Sequence, residues 1–533
     1  ATHGVPTDVN SHPHCSCDKK VAVVHNGIIE NYATLKDELI EKGYVFSSDT
    51  DSEVAAQLFS YLYTGDLLET IMKVRDKIRG SYALGIIHEE QPDKIICTRK
   101  ESPLIIGLGK DKNFIASDVP AILKYTRDVI FLENDEIAII EEGKVTVFNE
   151  EGKPIVKEIS KIEWDMEQAS KNGYPHFMLK EIEEQPAVVE RTLEVYIKPD
   201  GKIDFGKVFE KIDFEKIKEI DIIACGTAYH AGLQAAYFFK KMAKIKTNVD
   251  IASEFRYSDP FLNEDNLVIF ISQSGETLDT LMALKLARSK GAKTLAITNV
   301  VGSTISREAD VVLYTVAGPE ISVASTKAYT TQVVTFYLLA LYVAFKCKRV
   351  TLEEYDSYLD KIYSLSEKIG KMFFNKEKIE KIAQEIKDKK NGFYIGRGID
   401  EKITREGSLK MKEITYIHTE AFPAGELKHG PIALIEEGTM IVVVSTQRDM
   451  LEKVASNIKE LKARGAFVIS VTKADYKEIL DVSDRVILID DIDDMVAPLL
   501  SMIPLQLLSY YTAVAKGLDV DKPRNLAKSV TVE

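Results

Sequence analysis

Three groups of residues in this 533-residue chain have types and spacings suited to chemistry. The first is Ile271-Ser272-Gln273-Ser274-Gly275-Glu276-Thr277, which follows the apolar run Leu267-Val268-Ile269-Phe270 and precedes Leu278, Leu281, Leu284 and Leu286. The run reads as a buried parallel strand and the leucines as a helix, so the seven residues turn one into the other. The unpartnered N–H groups and dipole of a helix start stabilise an anion. Gly275 permits the bend and a close approach, and Ser272, Gln273, Ser274 and Thr277 add side-chain donors. On local sequence alone two readings stand: a phosphate cradle, or a Ser-rich helix cap without a ligand.

The second group is Lys410-Met411-Lys412-Glu413, where Lys410 and Glu413 share a helix face at i,i+3. Such a pair is worth little on a surface and can transfer protons in a cleft. Nearby, Glu426-Leu427-Lys428-His429-Gly430-Pro431 sets a histidine in a rigid turn, where a lone histidine is usually structural. The third group is Asn26-Gly27, a side-chain amide followed by a glycine N–H, suited to polarise a developing oxyanion. Asp51, after Ser48-Asp49-Thr50, is placed to cap its helix or to hold an ammonium; taken alone, the hairpin and cap readings are preferred. The spacing His12-x-His14-Cys15-x-Cys17 admits zinc, but a loop is the preferred reading and no metal is expected.

Composition bounds what these groups can serve. A net charge of -14 argues against nucleic acid as a partner and leaves any phosphate site dependent on local positive charge. Hydrophobic and charged contents of 45% and 29% are those of an ordinary soluble protein. Cys15, Cys17, Cys97, Cys225 and Cys347 are scattered, which predicts a reducing, cytoplasmic setting. No signal peptide is recognised. Residues 333–345 are too short to span a bilayer, and 495–515 are interrupted by Pro498, Pro504 and Gln506; both read as core, and no membrane is expected.

The elements that must position these residues fall into two styles. Residues 1–148 predict helices at 32–42, 51–64 and 66–78 among strands at 81–87, 94–98, 114–117, 129–132 and 137–140, an α+β sandwich. A polar turn at 149–154 and an acidic stretch around Trp164 follow. Beyond about residue 211 two segments repeat at roughly 170 residues, a duplicated domain rather than a solenoid. Ile222-Ile223-Ala224-Cys225-Gly226-Thr227 parallels Phe393-Tyr394-Ile395-Gly396-Arg397-Gly398. Leu267 to Ser272 parallels Met440-Ile441-Val442-Val443-Val444-Ser445. Each half predicts a doubly wound parallel α/β sheet with ligands at the carboxyl ends of its strands. The second half has Ser445-Thr446-Gln447-Arg448-Asp449-Met450 in place of the first cradle, without its glycine, so only the first half is expected to hold phosphate.

Ala1-Thr2-His3-Gly4, Ser11-His12-Pro13-His14, His25 to Asn31 and Thr50-Asp51-Ser52-Glu53-Val54 resemble the class II glutamine amidotransferase domain. Cys225-Gly226-Thr227, Ser272 to Thr277, Val323-Ala324-Ser325-Thr326-Lys327, Glu406 to Leu434 and the tail resemble paired sugar isomerase (SIS) domains. In this order, over essentially the whole chain, the motifs are similar to the glutamine:fructose-6-phosphate aminotransferase (isomerising) family, first step of amino-sugar biosynthesis. The resemblance implies an N-terminal-nucleophile-type amidotransferase domain (1–148), a connector (149–210), SIS domains at 211–350 and 383–517, and a catalytic tail (518–533). By the same resemblance Asn26 and Gly27 form an oxyanion hole, while Thr2, His3 and Asp51 bind glutamine. Thr227, Ser272, Gln273, Ser274 and Thr277 hold the sugar phosphate; Val323, Ser325 and Ala527 line the sugar. Ala228 stands where many members carry serine. Glu413 moves a proton between C1 and C2 with Lys410 assisting, His429 opens the ring, and Lys528 forms a Schiff base with the ketose.

The family's glutaminase nucleophile is a mature N-terminal cysteine, and the chain begins at Ala1 inside the motif. An incomplete sequence is therefore expected, and the chain as written is expected to use only free ammonia. The resemblance implies fructose 6-phosphate and glutamine or ammonia as partners, a homodimer and no cofactor. Two alternatives compete. A SIS-type sugar-phosphate isomerase or deglycase would not need Asn26-Gly27 and Thr50-Asp51. A non-enzymatic sugar-phosphate sensor would not need Glu413 or Lys528.

Overall fold

The computed structural model describes residues 3–5, 7–119, 121–162 and 170–531; Thr2 and Trp164 lie outside the described residues. It divides into two compact units: residues 1–166 with 276–281 and 529–533, and residues 167–275 with 282–528.

In the first unit, alternating apolar residues build β1 (Val21–Ile29), β2 (Gly80–His88), β3 (Gln91–Lys100), β4 (Ile105–Leu108), β5 (Asn113–Ala116), β6 (Asp128–Phe131), β7 (Ile137–Glu141) and β8 (Lys144–Phe148). One antiparallel sheet runs β1-β2-β3-β7-β8 with two-residue strands at its edges, and a smaller one pairs β6, β4 and β5. Helices α1 (Tyr32–Glu41), α2 (Ser52–Leu62) and α3 (Leu67–Lys77) bury Leu35, Leu39, Val54, Phe59, Ile71 and Val74 against Val21, Val23 and Leu84 of the larger sheet. Asn26 and Gly27 are strand residues of β1, opposite Ala83 and Tyr82, so the hairpin reading of this pair does not hold, while α1 starts at Tyr32 as its spacing predicts. Gly27 has φ +137°, and a Cβ there would overlap the Ser81 carbonyl, so only glycine fits this register.

The second unit opens with α4 (Phe177–Glu183) and α5 (Gln185–Tyr196). Two parallel sheets follow. The first contains β9 (Glu219–Ala224), β10 (Lys246–Ile251), β11 (Asn266–Ser272), β12 (Lys293–Thr298) and β13 (Val311–Tyr314) in the order β10-β9-β11-β12-β13. The second contains β14 (Asn391–Gly396), β15 (His418–Pro423), β16 (Met440–Ser445), β17 (Phe467–Lys473) and β18 (Arg485–Ile489) in the order β15-β14-β16-β17-β18. In both, the chain reverses direction beside the first strand, the switch point at which doubly wound sheets bind ligands. Strands β11 and β16 are buried along their whole length, which is why they read as unbroken apolar runs.

Two helices of the second unit are apolar enough by length and composition to cross a membrane: Lys327–Lys346 and Ala497–Ala515. Their apolar windows are 94% and 89% buried within the protein, as core helices require. Pro504 does not break the second helix; it sits inside an uninterrupted 19-residue element.

The tail from Gly517 has no regular structure, yet it is not frayed. Val520 is fully buried. The Asp521 carboxylate accepts the N–H groups of Phe177 and Met178, both at 2.9 Å, and so completes the N-terminus of α4 from 343 residues away. The Val323 N–H donates to the Asp521 carbonyl (3.0 Å), and the Arg524 guanidinium lies 4.1 Å from the Tyr416 ring centre. Asp521→Ala is expected to remove about 1–2 kcal/mol of local stability. Hydrogen exchange should then speed up at residues 177–180 and across 520–528, while the core of the first unit is unaffected; unchanged exchange in the tail would show that Asp521 does not anchor it.

Candidate active site

Ser272 ends β11 with its side chain turned back on the loop, where its Oγ accepts the Gly275 N–H at 3.0 Å. Gly275 has φ +67°, and a Cβ would overlap the Ser303 side chain, so the residue must be glycine for the loop to close. The Asn299 N–H donates to the Gln273 carbonyl (3.1 Å) and the Ile305 N–H to the Gly275 carbonyl (2.9 Å), which fixes the loop before any ligand arrives. Gln273 and Ser274 are half-buried at the mouth, and Thr277 accepts the Leu281 N–H as the helix Leu278–Ser289 begins.

The matching loop of the second sheet is already filled. Thr446 donates through its N–H and its hydroxyl to Asp400, both at 2.6 Å, and Gln447 Nε2 adds a third bond at 3.3 Å. Asp400 is wholly buried, and desolvation pushes its carboxyl up to about 6. A carboxylate from the first turn of α6 (Ile399–Thr415) thus takes the loop donors of the second sheet.

A chain of charged groups crosses between the two sheets within the second unit. Lys410, fully buried on α6, reaches Glu413 at 2.6 Å, Glu406 at 3.3 Å and Thr227 Oγ1 at 3.0 Å. Thr227 in turn donates to Glu406 (3.0 Å), and His230 Nδ1 lies 2.7 Å from the other Glu406 oxygen. Burial alone would favour a neutral lysine, but the two carboxylates outweigh it and hold Lys410 well above the usual lysine range. Lys410, His230 and Thr227 likewise keep Glu406 below the usual carboxylate range against its burial. Lys410 is therefore a fixed cation, and Glu413, whose side chain is 22% exposed, is the less buried of its two carboxylate partners.

A second cluster surrounds the tail lysine. Lys528 Nζ donates to Glu320 Oε2 (2.5 Å) and to the Ser322 carbonyl (2.8 Å). Glu320 also accepts from Ser325 Oγ (2.9 Å) and from the N–H groups of Thr326 (2.9 Å) and Ala328 (3.0 Å). Lys528 and these donors bring Glu320 down to about 2 although burial opposes them. Glu181 of α4 receives the N–H groups of Ile321 (2.5 Å) and Ser322 (3.2 Å). Burial, and then the nearby Glu320 charge, push Glu181 up to about 8.

The structure brings Lys410 and Glu413 together with Thr227, and Lys528 together with Ser325. It leaves Val323 half-buried beside them, Ala527 exposed, and His429 exposed at the end of the 3-10 helix Glu426–His429. In the first unit, His3 Nδ1 lies 3.6 Å from Asp51, whose other oxygen accepts the Ile29 N–H at 2.8 Å. Asp51 makes no side-chain bond to α2, so it is not the helix cap that local sequence suggests. Asn26 exchanges hydrogen bonds with the Thr531 hydroxyl at 3.2 and 3.4 Å. Sequence reasoning missed Glu406, His230, Glu320 and Glu181. Glu406 was legible, since it stands at i-4 from Lys410; Glu320 and Glu181 meet only through folding.

The SIS domain family matches residues 213–342 and 385–516, and the glutamine amidotransferase domain family matches 5–124. A relative from Fusobacterium nucleatum named glutamine–fructose-6-phosphate aminotransferase (isomerizing) is 58% identical over 533 residues, covering 100% of this chain and 88% of its own length. Proteins of the same name from Caldanaerobacter subterraneus and Methanosarcina acetivorans are 55% and 48% identical at the same coverage. Among solved structures, the C-terminal domain of glucosamine-fructose-6-phosphate aminotransferase from Francisella tularensis aligns at TM-score 0.64 and 42% identity, covering 66% of this chain and 100% of that one. Glucosamine-6-phosphate deaminase from Thermotoga maritima, at TM-score 0.52 and 24% identity over 67% of this chain and 100% of its own, shares the fold.

Two outcomes follow from this geometry. Gly275→Ala is expected to cost about 1–3 kcal/mol through strain at positive φ and to weaken sugar-phosphate binding by about tenfold or more, read by calorimetric titration; unchanged affinity would remove the loop from the site. The raised Glu181 carboxyl makes the folded state retain a proton that the unfolded chain, with a glutamate near 4.3, has lost. Stability should therefore fall as pH rises from about 4 to about 8. Glu181→Gln should abolish that slope and raise the melting temperature progressively across the window, with no effect below about pH 4.

Proposed function

We infer the parts played by individual residues from one premise: the chain belongs to the glutamine–fructose-6-phosphate aminotransferase (isomerizing) family. Its reaction transfers the amide nitrogen of glutamine to fructose 6-phosphate, giving glucosamine 6-phosphate and glutamate. The sugar is held by its phosphate at Ser272, Gln273, Ser274 and Thr277, a reading supported by the loop preset around Gly275 in one sheet and by Asp400 binding the matching loop in the other. Val323, Ser325 and Ala527 line the sugar, with Thr227 tying this side to Lys410.

The single observation that carries the mechanism is Lys528 held at Glu320 and Ser322 by a tail that Asp521 anchors. An amine in that place attacks the open-chain ketone at C2, and ammonia then displaces it from the imine. Glu413 moves the proton between C1 and C2, since Lys410 is fixed as a cation and cannot accept one. His429 opens the ring. Its exposure supports service to the sugar of a second copy, in a homodimer. In the glutamine half (1–148), Asn26 and Gly27 polarise the amide while His3, Thr2 and Asp51 bind the amino acid; Asp51 buried against β1 supports that role. The connector is 149–210, the sugar domains are 211–350 and 383–517, and 518–533 is the catalytic tail. Five cysteines without a disulfide support a reducing, cytoplasmic compartment.

The sugar half is tested without glutamine. With fructose 6-phosphate and ammonium the chain should form glucosamine 6-phosphate, and Lys528→Ala should lower that rate by at least about a hundredfold while calorimetry still detects sugar-phosphate binding. Retained turnover in the variant would remove the Schiff-base role.

A further inference from the structure

The tail lysine must lose a proton before it can attack a carbonyl, and among the described residues the carboxylate within its reach is Glu320. Among the described residues, the groups around Lys528 are as follows. From the segment before Lys327–Lys346 come Glu320, the Ser322 carbonyl and Ser325. From α4 and the residue after it come Glu181, Lys180 and Glu184, and from the N-terminus of Lys327–Lys346 comes Lys327. Lys327 is turned to Glu184 at 2.7 Å, and Lys180 to the same carboxylate at 3.4 Å, so neither pairs with Glu320. Asp521 is committed to the N-terminus of α4. Glu320 and Glu181 are 2% and 1% exposed, and the second Glu181 oxygen has no hydrogen-bond partner. Glu181 grips the N–H groups of Ile321 and Ser322, the two residues that follow Glu320, and so fixes both of the Lys528 acceptors.

We propose that Glu320 is the group to which Lys528 gives its proton before attacking the ketone, and that Glu181 is the positioning residue that sets how firmly that proton is held. The inference rests on the Schiff-base role of Lys528. The step balances without any added reagent. The ammonium passes one proton to the Glu320 carboxylate, and the amine lone pair forms the C–N bond at C2 while the carbonyl oxygen becomes the carbinolamine hydroxyl. The Glu320 acid then returns its proton to that hydroxyl, which leaves as water as the C=N bond of the protonated imine forms. Ion pair and neutral pair contain the same number of protons, so their balance does not depend on pH. Ionisation of Glu181 would add a second negative charge and hold the lysine as ammonium; its carboxyl, pushed up to about 8, makes that happen on the alkaline side.

The test uses the full chain and measures covalent trapping of fructose 6-phosphate by cyanoborohydride, read by mass on the peptide containing Lys528, from about pH 6 to about pH 9. Rates are expressed relative to the native chain at each pH, which cancels the pH dependence of the reductant and of the sugar phosphate. With Glu320→Gln the proton must go to solvent, so the ratio to native should start low and rise by about tenfold per pH unit. With Glu181→Gln the ratio should be level to about pH 8 and rise above it, because the native decline there is gone. A constant ratio for Glu320→Gln would make Glu320 a structural partner only and overturn the proposal, and a constant ratio for Glu181→Gln would overturn its second part. Glu320→Asp retains the carboxylate and should restore a level ratio at reduced rate; if Glu320→Gln fails to fold, a sloping ratio in Glu320→Asp overturns the proposal instead. An adduct at another residue in Lys528→Ala, at native rate, would sink the Schiff-base reading itself, and is distinguishable because the Glu320 arm then has no adduct on Lys528 to measure.

Discussion

The contact on which the sugar half depends is the one between Lys528 and Glu320. A buried carboxylate is costly unless it is met by an opposite charge and by enough donors, and Glu320 is met by Lys528, Ser325 Oγ and two backbone N–H groups. Removing the lysine would strand a charge in the core, so the end of the chain is drawn in by an electrostatic need of the interior. Asp521 does the converse for the tail: the start of α4 lacks partners for its first N–H groups, and the tail supplies the carboxylate. Two single-residue contacts, one in each direction, therefore order a segment that has no secondary structure of its own.

The duplicated sheets show how one scaffold yields one binding site. Both have the same strand order and present a loop after the central strand, at a switch point. In the first, the loop closes on itself around Gly275, whose N–H donates to Ser272 Oγ. In the second, Asp400 satisfies Thr446 and Gln447 from inside. An internal carboxylate at a helix start satisfies those donors there, and the same helix goes on to carry Lys410 and Glu413.

Much of this was legible in the sequence, and the limits have physical causes. The buried parallel strands read as apolar runs because both their faces are covered, and the helices of the first unit read from their spacing to within two residues or so at most ends. Lys410 and Glu413 were readable because a helix converts i,i+3 into contact. Glu181 and Glu320 were not, since 139 residues of separation carry no local periodicity; their side chains meet through backbone N–H groups of Ile321 and Ser322 rather than through each other. The tail misled for the same reason. Composition describes how a segment behaves in water, and residues 518–528 are held by specific polar contacts and by the burial of Val520 and Pro523. The cap reading of Asp51 failed because its carboxylate turns to the Ile29 N–H of the neighbouring strand, a tertiary partner that no local pattern announces.

The two lysine clusters use the same parts to opposite ends. Each sets two glutamates around one ammonium. Around Lys410 two carboxylates converge and the lysine is fully buried between them, so its proton is held in place and it serves as a fixed charge beside Glu413. Around Lys528 the second carboxylate is forced toward its neutral form by burial and by Glu320 itself, and the lysine side chain is 20% exposed. The ammonium there has Glu320 as its anionic partner, while burial keeps Glu181 from ionising. If Lys528 forms the proposed Schiff base, this is the setting in which it releases its proton, and it arises from which carboxylate the fold allows to ionise, not from the residue types, which are the same in both places.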